Sequence, residues 1–380
     1  MATARRTPVL GAAALSTLGL AAAALTATPA YAATSARSGG DHGAVFVQTD
    51  AVDGNSVVAY RQGADGTLHE AGTYPTGGNG GVLTGSVVDH LASQGSLLLD
   101  RAHRLLYAVN AGSNTLSVFS VHGTSLVRRQ VIPTAGDFPV SVTASRGVVV
   151  VLNARAGGSL QGFRWASGRL VPVAAWHRDL GLSETAPEFT HTPGQVAFSP
   201  NGEHLLVTTK AASNSILVYG VRHARLAALP VVNTYAGAVP FAVDFDARGR
   251  AVVAEVGPNA VATFRVGRDN VLHQVDAAAT GQKATCWVVV GGRHAYASNA
   301  GSASVSSYLL RRGQLRAAGH TATDPGTVDA AVSASGRYLH VQTGAKGIVD
   351  TFRIGHDGGL TQVGSATVPG AVGGEGIAAA

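Results

Sequence analysis

Ser96-Leu97-Leu98-Leu99, then Leu105-Leu106-Tyr107-Ala108-Val109-Asn110, then Thr115-Leu116-Ser117-Val118-Phe119-Ser120-Val121 is the stretch that decides how this chain folds. Three apolar runs of strand length are separated by turn-sized gaps. The second run ends in a small polar residue, and the third follows the pattern x-V-x-x-F/Y-x-V. The same order returns at Gln195–Phe198, Leu205–Thr209 and Ser215–Val221. It returns again at Trp287–Val290, His294–Asn299 and Ser304–Tyr308, and at Ala330–Val332, Tyr338–Thr343 and Ile348–Ile354. Weaker copies run from Ser141 through Asn153 to Phe163 and from Phe241 through Glu255 to Val266.

Two fragments are left over. Val45–Thr49 and Val57–Tyr60 read as second and third strands with no first strand before them. Glu375–Ala380 reads as a first strand with nothing after it. Together they complete a seventh copy. The sequence therefore predicts an all-β chain over residues 43–380: a seven-bladed β-propeller of four-stranded antiparallel blades. The N- and C-terminal strands share one blade and so close the ring. One four-stranded sheet cannot bury both of its faces, but blades packed face to face around a ring can.

Composition agrees. The chain of 380 residues holds 49 glycines, and only 13% of its residues are charged, so turns are abundant and sheet faces are apolar. Asp53-Gly54, Asp65-Gly66, Asn201-Gly202 and Asp357-Gly358 sit between apolar runs as hairpin turns. A single cysteine, Cys286, excludes a disulfide scaffold and every CxxC-type zinc or redox site. The longest break in the repeat is Trp176 to Pro193. It is expected to be either a solvated connection or a lid over one mouth of the ring.

Residues 1–32 read as a signal peptide. Arg5-Arg6 precede the apolar stretch Val9–Ala27, and Ala30-Tyr31-Ala32 is an A-x-A cleavage pattern. The paired arginines leave Sec and twin-arginine export both open. Residues 33–42 are expected to be a linker, and no later stretch is apolar enough to span a bilayer. A secreted monomer is the expectation. No Lys/Arg run and no basic-aromatic stripe appears, which argues against nucleic-acid binding.

No GxSxG elbow, HExxH or GxxxxGK[ST] motif is present. The histidines are spread singly, so no metal site and no cofactor are expected. A propeller instead gathers candidates where its inner strands begin: Ser96, Val140, Gln195, Phe241, Trp287, Asp329 and Glu375. The ends of the second strands add Thr49, Asn110, Asn153, Lys210, Glu255, Asn299 and Thr343. Glu255, Asp329 and Lys210 are the candidate catalytic groups. Ser96, Gln195, Trp287, Asn110, Asn299 and Glu375 are the candidate ligand-binding groups. Each has a structural alternative. Asp329 and Ser96 would cap strand amides, the recurring asparagines would hold loops, and Trp287 would pack between blades. Glu255 would pair with an arginine, and Cys286 would be a small buried hydrophobe rather than a nucleophile.

The repeats resemble the lactonase-family propellers, which include 6-phosphogluconolactonases and the carboxymuconate cyclases of fungi. The resemblance is carried by Ser93-Gln94-Gly95-Ser96-Leu97, Leu105 to Thr115, Phe198-Ser199-Pro200-Asn201-Gly202, Pro240 to Phe245, Cys286-Trp287-Val288-Val289-Val290 and Asn299-Ala300-Gly301-Ser302. It is closest to secreted actinobacterial members with the same Cys-Trp-Val-Val-Val stretch. It implies a lactonase-type hydrolase or a related cycloisomerase working at the channel mouth on a lactone or sugar-like small molecule. Catalytic members carry an Arg-His pair and a Glu at positions that are Gly194, Gln195 and Lys210 here. The alternative expectation is therefore a non-catalytic extracellular propeller that binds a sugar, a peptide or a cell-surface partner.

Overall fold

A computed structural model describes residues 43–380. The expected signal peptide and the expected linker lie outside the described residues. Seven antiparallel sheets are formed. Blade 1 combines Ile377–Ala379, Ala44–Gln48, Ser56–Gln62 and Leu68–Pro75, with the C-terminal strand innermost. Blades 2 to 7 follow in chain order over residues 97–133, 139–179, 195–234, 240–279, 285–322 and 327–367. Within each, the strands run from the inside of the ring outward. Val45 faces Ala379, Phe46 faces Ala378 and Val47 faces Ile377, which closes the ring by backbone pairing without a covalent link.

Alternation along the strands supplies the packing. Leu106 and Ala108 of blade 2 turn toward Phe46 and Ala59 of blade 1, while Tyr107 and Val109 turn toward Val140 and Val149 of blade 3. Both faces of a blade are thus apolar, as a half-polar strand could not be. The aromatic of the x-V-x-x-F/Y-x-V pattern is buried in every blade: Tyr60, Phe119, Phe163, Tyr219, Phe264, Tyr308 and Phe352. Burying each such ring is worth roughly 2–3 kcal/mol. In blades 1, 2, 5, 6 and 7 the pairing of third and fourth strands slips just before this aromatic. Such a bulge bends and twists the outer strand around the ring.

Two details differ from the expected pattern. In blade 4 the outer strand is split into Arg225–Leu226 and Val231–Thr234. Pro230 lies at the break, where it cannot donate to the ladder. The break expected from Trp176 begins later, because Arg169–Asp179 is a continuous outer strand. Trp176 is buried 6.4 Å from Phe198 and donates its indole N–H to the Ala224 carbonyl at 3.2 Å. The irregular part is residues 180–194, with one helical turn at Glu188–His191. Residues 76–96, between blades 1 and 2, form a second long connection that the repeat pattern did not single out.

Candidate functional site

Each inner strand starts on the face of the ring that also carries the blade-to-blade connections. Residues 82–95 lie across this mouth and touch most of the ring. The Ser93 hydroxyl donates to the Val140 carbonyl of blade 3 at 2.9 Å, and the Gln94 amide N–H donates to the Gly194 carbonyl beside blade 4 at 3.1 Å. The Gln94 side chain pairs with both backbone groups of Val288 in blade 6, at 2.9 and 3.0 Å. A Cβ added to Gly344 of blade 7 would collide with the Val88 carbonyl, so that glycine is what lets the segment lie so close. The chain fills the mouth of its own channel.

The candidate ligand-binding residues sit at this mouth with their polar atoms engaged. The Ser96 hydroxyl donates to the Glu375 carbonyl at 2.7 Å, bridging blades 2 and 1. Gln195 Oε1 accepts the Val243 N–H at 2.6 Å, bridging blades 4 and 5. Asp244, outside the expected set, does the same for Val290 between blades 5 and 6 at 2.7 Å. Trp287 stacks edge-on against Phe241 at 5.0 Å and donates to the Ser93 carbonyl at 2.6 Å. Asn110 donates to Thr115 and Ser117 at 3.0 and 2.8 Å, and Asn299 donates to Ser306 at 2.9 Å and accepts from Thr285 at 2.7 Å. These polar positions stitch one blade to the next and hold the loops at the second-strand ends.

Lys210 stands under the mouth. Its ammonium has three N–H donors, and three oxygens receive them: Ala92 O at 2.7 Å, Phe189 O at 2.6 Å and Thr192 Oγ1 at 2.9 Å. The lysine thus joins residues 82–95 to residues 180–194. Burial pushes its pKa down to about 7, and the nearby Asp89 carboxylate opposes that shift.

Four carboxyls gather beside it: Asp50, Asp89, Asp329 and Glu375. Asp50 and Asp89 were not among the expected residues. Nothing in their local sequence marks them, because their neighbours at the mouth come from distant parts of the chain. Asp89 accepts the N–H groups of Leu91 and Ser93 at 2.8 and 2.9 Å, and Asp50 accepts that of Glu375 at 2.8 Å. Glu375 accepts that of Gly95 at 2.8 Å. Asp329 accepts that of Ala330 at 2.9 Å and hydrogen-bonds Glu375. Burial, with mutual repulsion, raises Asp50, Asp89 and Asp329 to about 7 and pushes Glu375 well above its ordinary value. Burial also raises the Cys286 thiol to about 12, so no thiolate forms there.

Glu255 is set apart from this cluster. It ends the strand Ala251–Glu255 of blade 5, is 8% exposed and makes no side-chain hydrogen bond or ion pair among the described residues. Burial alone raises its pKa to about 7.

The open cavity on this face lies beside the filled mouth. It is a cleft of about 770 Å³ between the 180–194 connection and the Ala154–Gly157 loop of blade 3, with Thr84 and Gly85 at its inner edge. Its wall is largely apolar, from Ala154, Ala156, Leu182, Ala186 and Pro187. Glu188 anchors it, accepting from Arg155 Nε at 2.6 Å and from the Thr84 N–H at 2.7 Å. That arginine holds the Glu188 pKa down to about 2. Glu184 accepts the Gly157 N–H at 2.9 Å, and the Arg155 guanidinium stacks on the Phe138 ring at 4.2 Å. None of the nine candidate catalytic and ligand-binding residues lines this cleft, whereas the segment expected to be a connection or a lid supplies one wall through Leu182 to Glu188, His191 and Thr192.

Solved structures of the same shape exist. A candidate 6-phosphogluconolactonase from Bacteroides uniformis is 19% identical with a TM-score of 0.71, over 90% of this chain and all of that one. The periplasmic gluconolactonase of Pseudomonas aeruginosa is 20% identical with a TM-score of 0.70, over 88% of this chain and 98% of that one. The virginiamycin B lyase of Staphylococcus aureus is more distant, at 10% identity and a TM-score of 0.52, over 75% of this chain and 87% of that one. What they share with this chain is the propeller fold. No family model and no curated protein matches the sequence.

Proposed function

We propose that the protein is an exported propeller of lactonase-like fold that binds a lactone or sugar-like small molecule without covalent chemistry. The ligand sits in the cleft walled by residues 180–194. One observation carries this reading: residues 82–95 fill the channel mouth and the cleft beside it is open. Lys210 spends its three donors on protein oxygens, so it offers none to a developing oxyanion. The cleft's apolar wall with carboxylates and a guanidinium at its edges suits a hydroxylated ring. The names of the structural neighbours bring lactones forward as the class. Export rests on Arg5-Arg6, the apolar run that follows and Ala30-Tyr31-Ala32.

The test is a thermal-shift screen of the mature chain against lactones, aldonic acids and sugars, with product analysis alongside. A ligand that raises the unfolding temperature of the wild type, less so of Arg155→Ala, and comes out unchanged supports the reading. No stabilisation by any of them overturns it.

One observation favours a hydrolytic second reading. Glu255 is unpartnered and poised near neutrality, as a general base should be. It would take a proton from water as the water oxygen adds to the lactone carbonyl. The ring acyl C–O bond then breaks and the alkoxide collects a proton, giving the hydroxy acid. Lactone consumption with a midpoint near pH 7, lost in Glu255→Gln, would establish it; activity unaltered by that change would remove it.

A further inference from the structure

The face opposite the filled mouth has a different charge. There the hairpin turns join first to second strands and third to fourth strands. Arg146, Arg222 and Arg268 stand on turns of three successive blades and ring a cleft of about 400 Å³, with His204, His223 and Glu203. A second cleft of about 310 Å³ lies between blades 5 and 6. Arg248, Arg293, Arg311 and Arg312 surround it, with Arg250 held by Asp246 at 2.7 Å. Arg146, Arg222, Arg268, Arg248, Arg311 and Arg312 are exposed and enter no ion pair among the described residues. The acidic groups of this face are largely committed locally. Glu203 is held by Asn201 at 2.9 Å, and Asp246 caps its own turn as well as pairing with Arg250. Asp65, Asp269 and Asp357 are exposed on turns of this same face, Asp269 beside Arg268, and each accepts a backbone N–H of its own turn, while Asp53, Asp137 and Glu184 lie on the other face.

A bias for arginine over lysine in the whole chain would not sort charges between two faces. Like charges on neighbouring turns repel, so their collection at two adjacent clefts costs stability unless an anion compensates. Guanidinium forks match phosphate oxygens two at a time. Among the described residues, no Phe, Tyr or Trp lines either cleft, and Trp176 and Phe198 of the adjoining pocket are buried, so His204 and His223 are the only rings the two clefts offer a base. None of the exposed large apolar side chains lies on these arginine-bearing turns, so nothing there inserts into a bilayer.

We propose that the arginine-bearing turns of blades 3 to 6 form a docking surface for a linear phosphate-bearing polymer that carries no bases. The two clefts hold successive phosphate groups of one chain. The surface is separate from the ligand cleft on the opposite face, so the propeller can hold a small molecule while docked.

The mature protein is titrated with end-labelled inorganic polyphosphate over a series of salt concentrations. Binding is expected to weaken steeply with salt, as released counterions require. The combined substitution Arg222→Ala, Arg268→Ala, Arg311→Ala and Arg312→Ala should weaken it by about tenfold or more and flatten the salt dependence. These side chains are at turn tips, and an unchanged unfolding temperature will show that the variant is folded. Lys283→Ala with Lys346→Ala, on the other face, should leave binding as it was. Equal binding by the arginine variant overturns the proposal. So does binding of the wild type to duplex DNA or to anionic phospholipid vesicles but not to polyphosphate, and so does the absence of any binding.

Discussion

Glu375 Oε1 accepts the backbone N–H of Gly95 at 2.8 Å, tying the residues that lead into the ring-closing strand to the segment that fills the channel mouth. The bond joins the last part of the chain to a connection between the first two blades. It places a protonatable group at the point where the ring closes and the mouth is filled.

The first prediction is the pH dependence of stability. Asp50, Asp89 and Asp329 hold their protons to about pH 7 when folded, against the ordinary 3.8, so the folded state binds more protons in that window. Stability is then full below the ordinary value and falls as pH rises toward 7. Lys210 acts with the opposite sign, but between about 7 and its ordinary 10.5. Thermal unfolding should occur at a lower temperature near pH 7 than near pH 5. Glu375→Gln, which keeps an acceptor for Gly95, should flatten the slope. A melting temperature that rises over this range would show the cluster to be ionised in the folded protein.

Lys210→Met tests whether the lysine is a strut. It strands the Ala92 and Phe189 carbonyls and the Thr192 hydroxyl in a dry interior, a loss of about 2–4 kcal/mol. Residues 82–95 and 180–194 should then become the first sites cut in limited proteolysis. An unfolding midpoint equal to that of the wild type would contradict the strut.

Arg155→Ala makes a contrasting case. Its ion pair with Glu188 is partly exposed, with the arginine side chain at 42%, and such pairs are worth about 0.2–1 kcal/mol. Global stability should hardly change, while the 180–194 connection loosens and cleavage there speeds up. A large fall in the unfolding midpoint would mean that the pair supports more than this connection.

Removing Ile377–Ala380 should abolish cooperative unfolding. Blade 1 would lose its inner strand, leaving Val45, Phe46 and Val47 without partners and the ring open. Circular dichroism during heating reads this directly. A sharp transition in the truncated chain would show that blade 1 is stable with three strands.

The mouth shows why the site was harder to read than the fold. Ser96, Gln195 and Trp287 stand where inner strands of the repeat begin. Their engagement was invisible, because their partners are Glu375, Val243 and Ser93, from other blades or from the segment at the mouth. Asp89 lies inside a connection with no periodicity, and only its place beside Lys210 and Glu375 gives it significance. The 180–194 connection was noticed for its break in pattern, yet its cleft depends on Arg155 and Thr84 reaching it from elsewhere.

Blade number, strand order and ring closure are local properties repeated along the chain. Alternating apolar residues, a buried aromatic and a turn recur at each copy, and the two unmatched ends have only each other to pair with. Whether the channel is open is not local. It depends on how one irregular connection satisfies its backbone amides against several blades at once, and that appears only when the ring is closed. The same holds for charge: arginines scattered through the sequence become one surface because the first-to-second and third-to-fourth strand turns of the blades end on the same face.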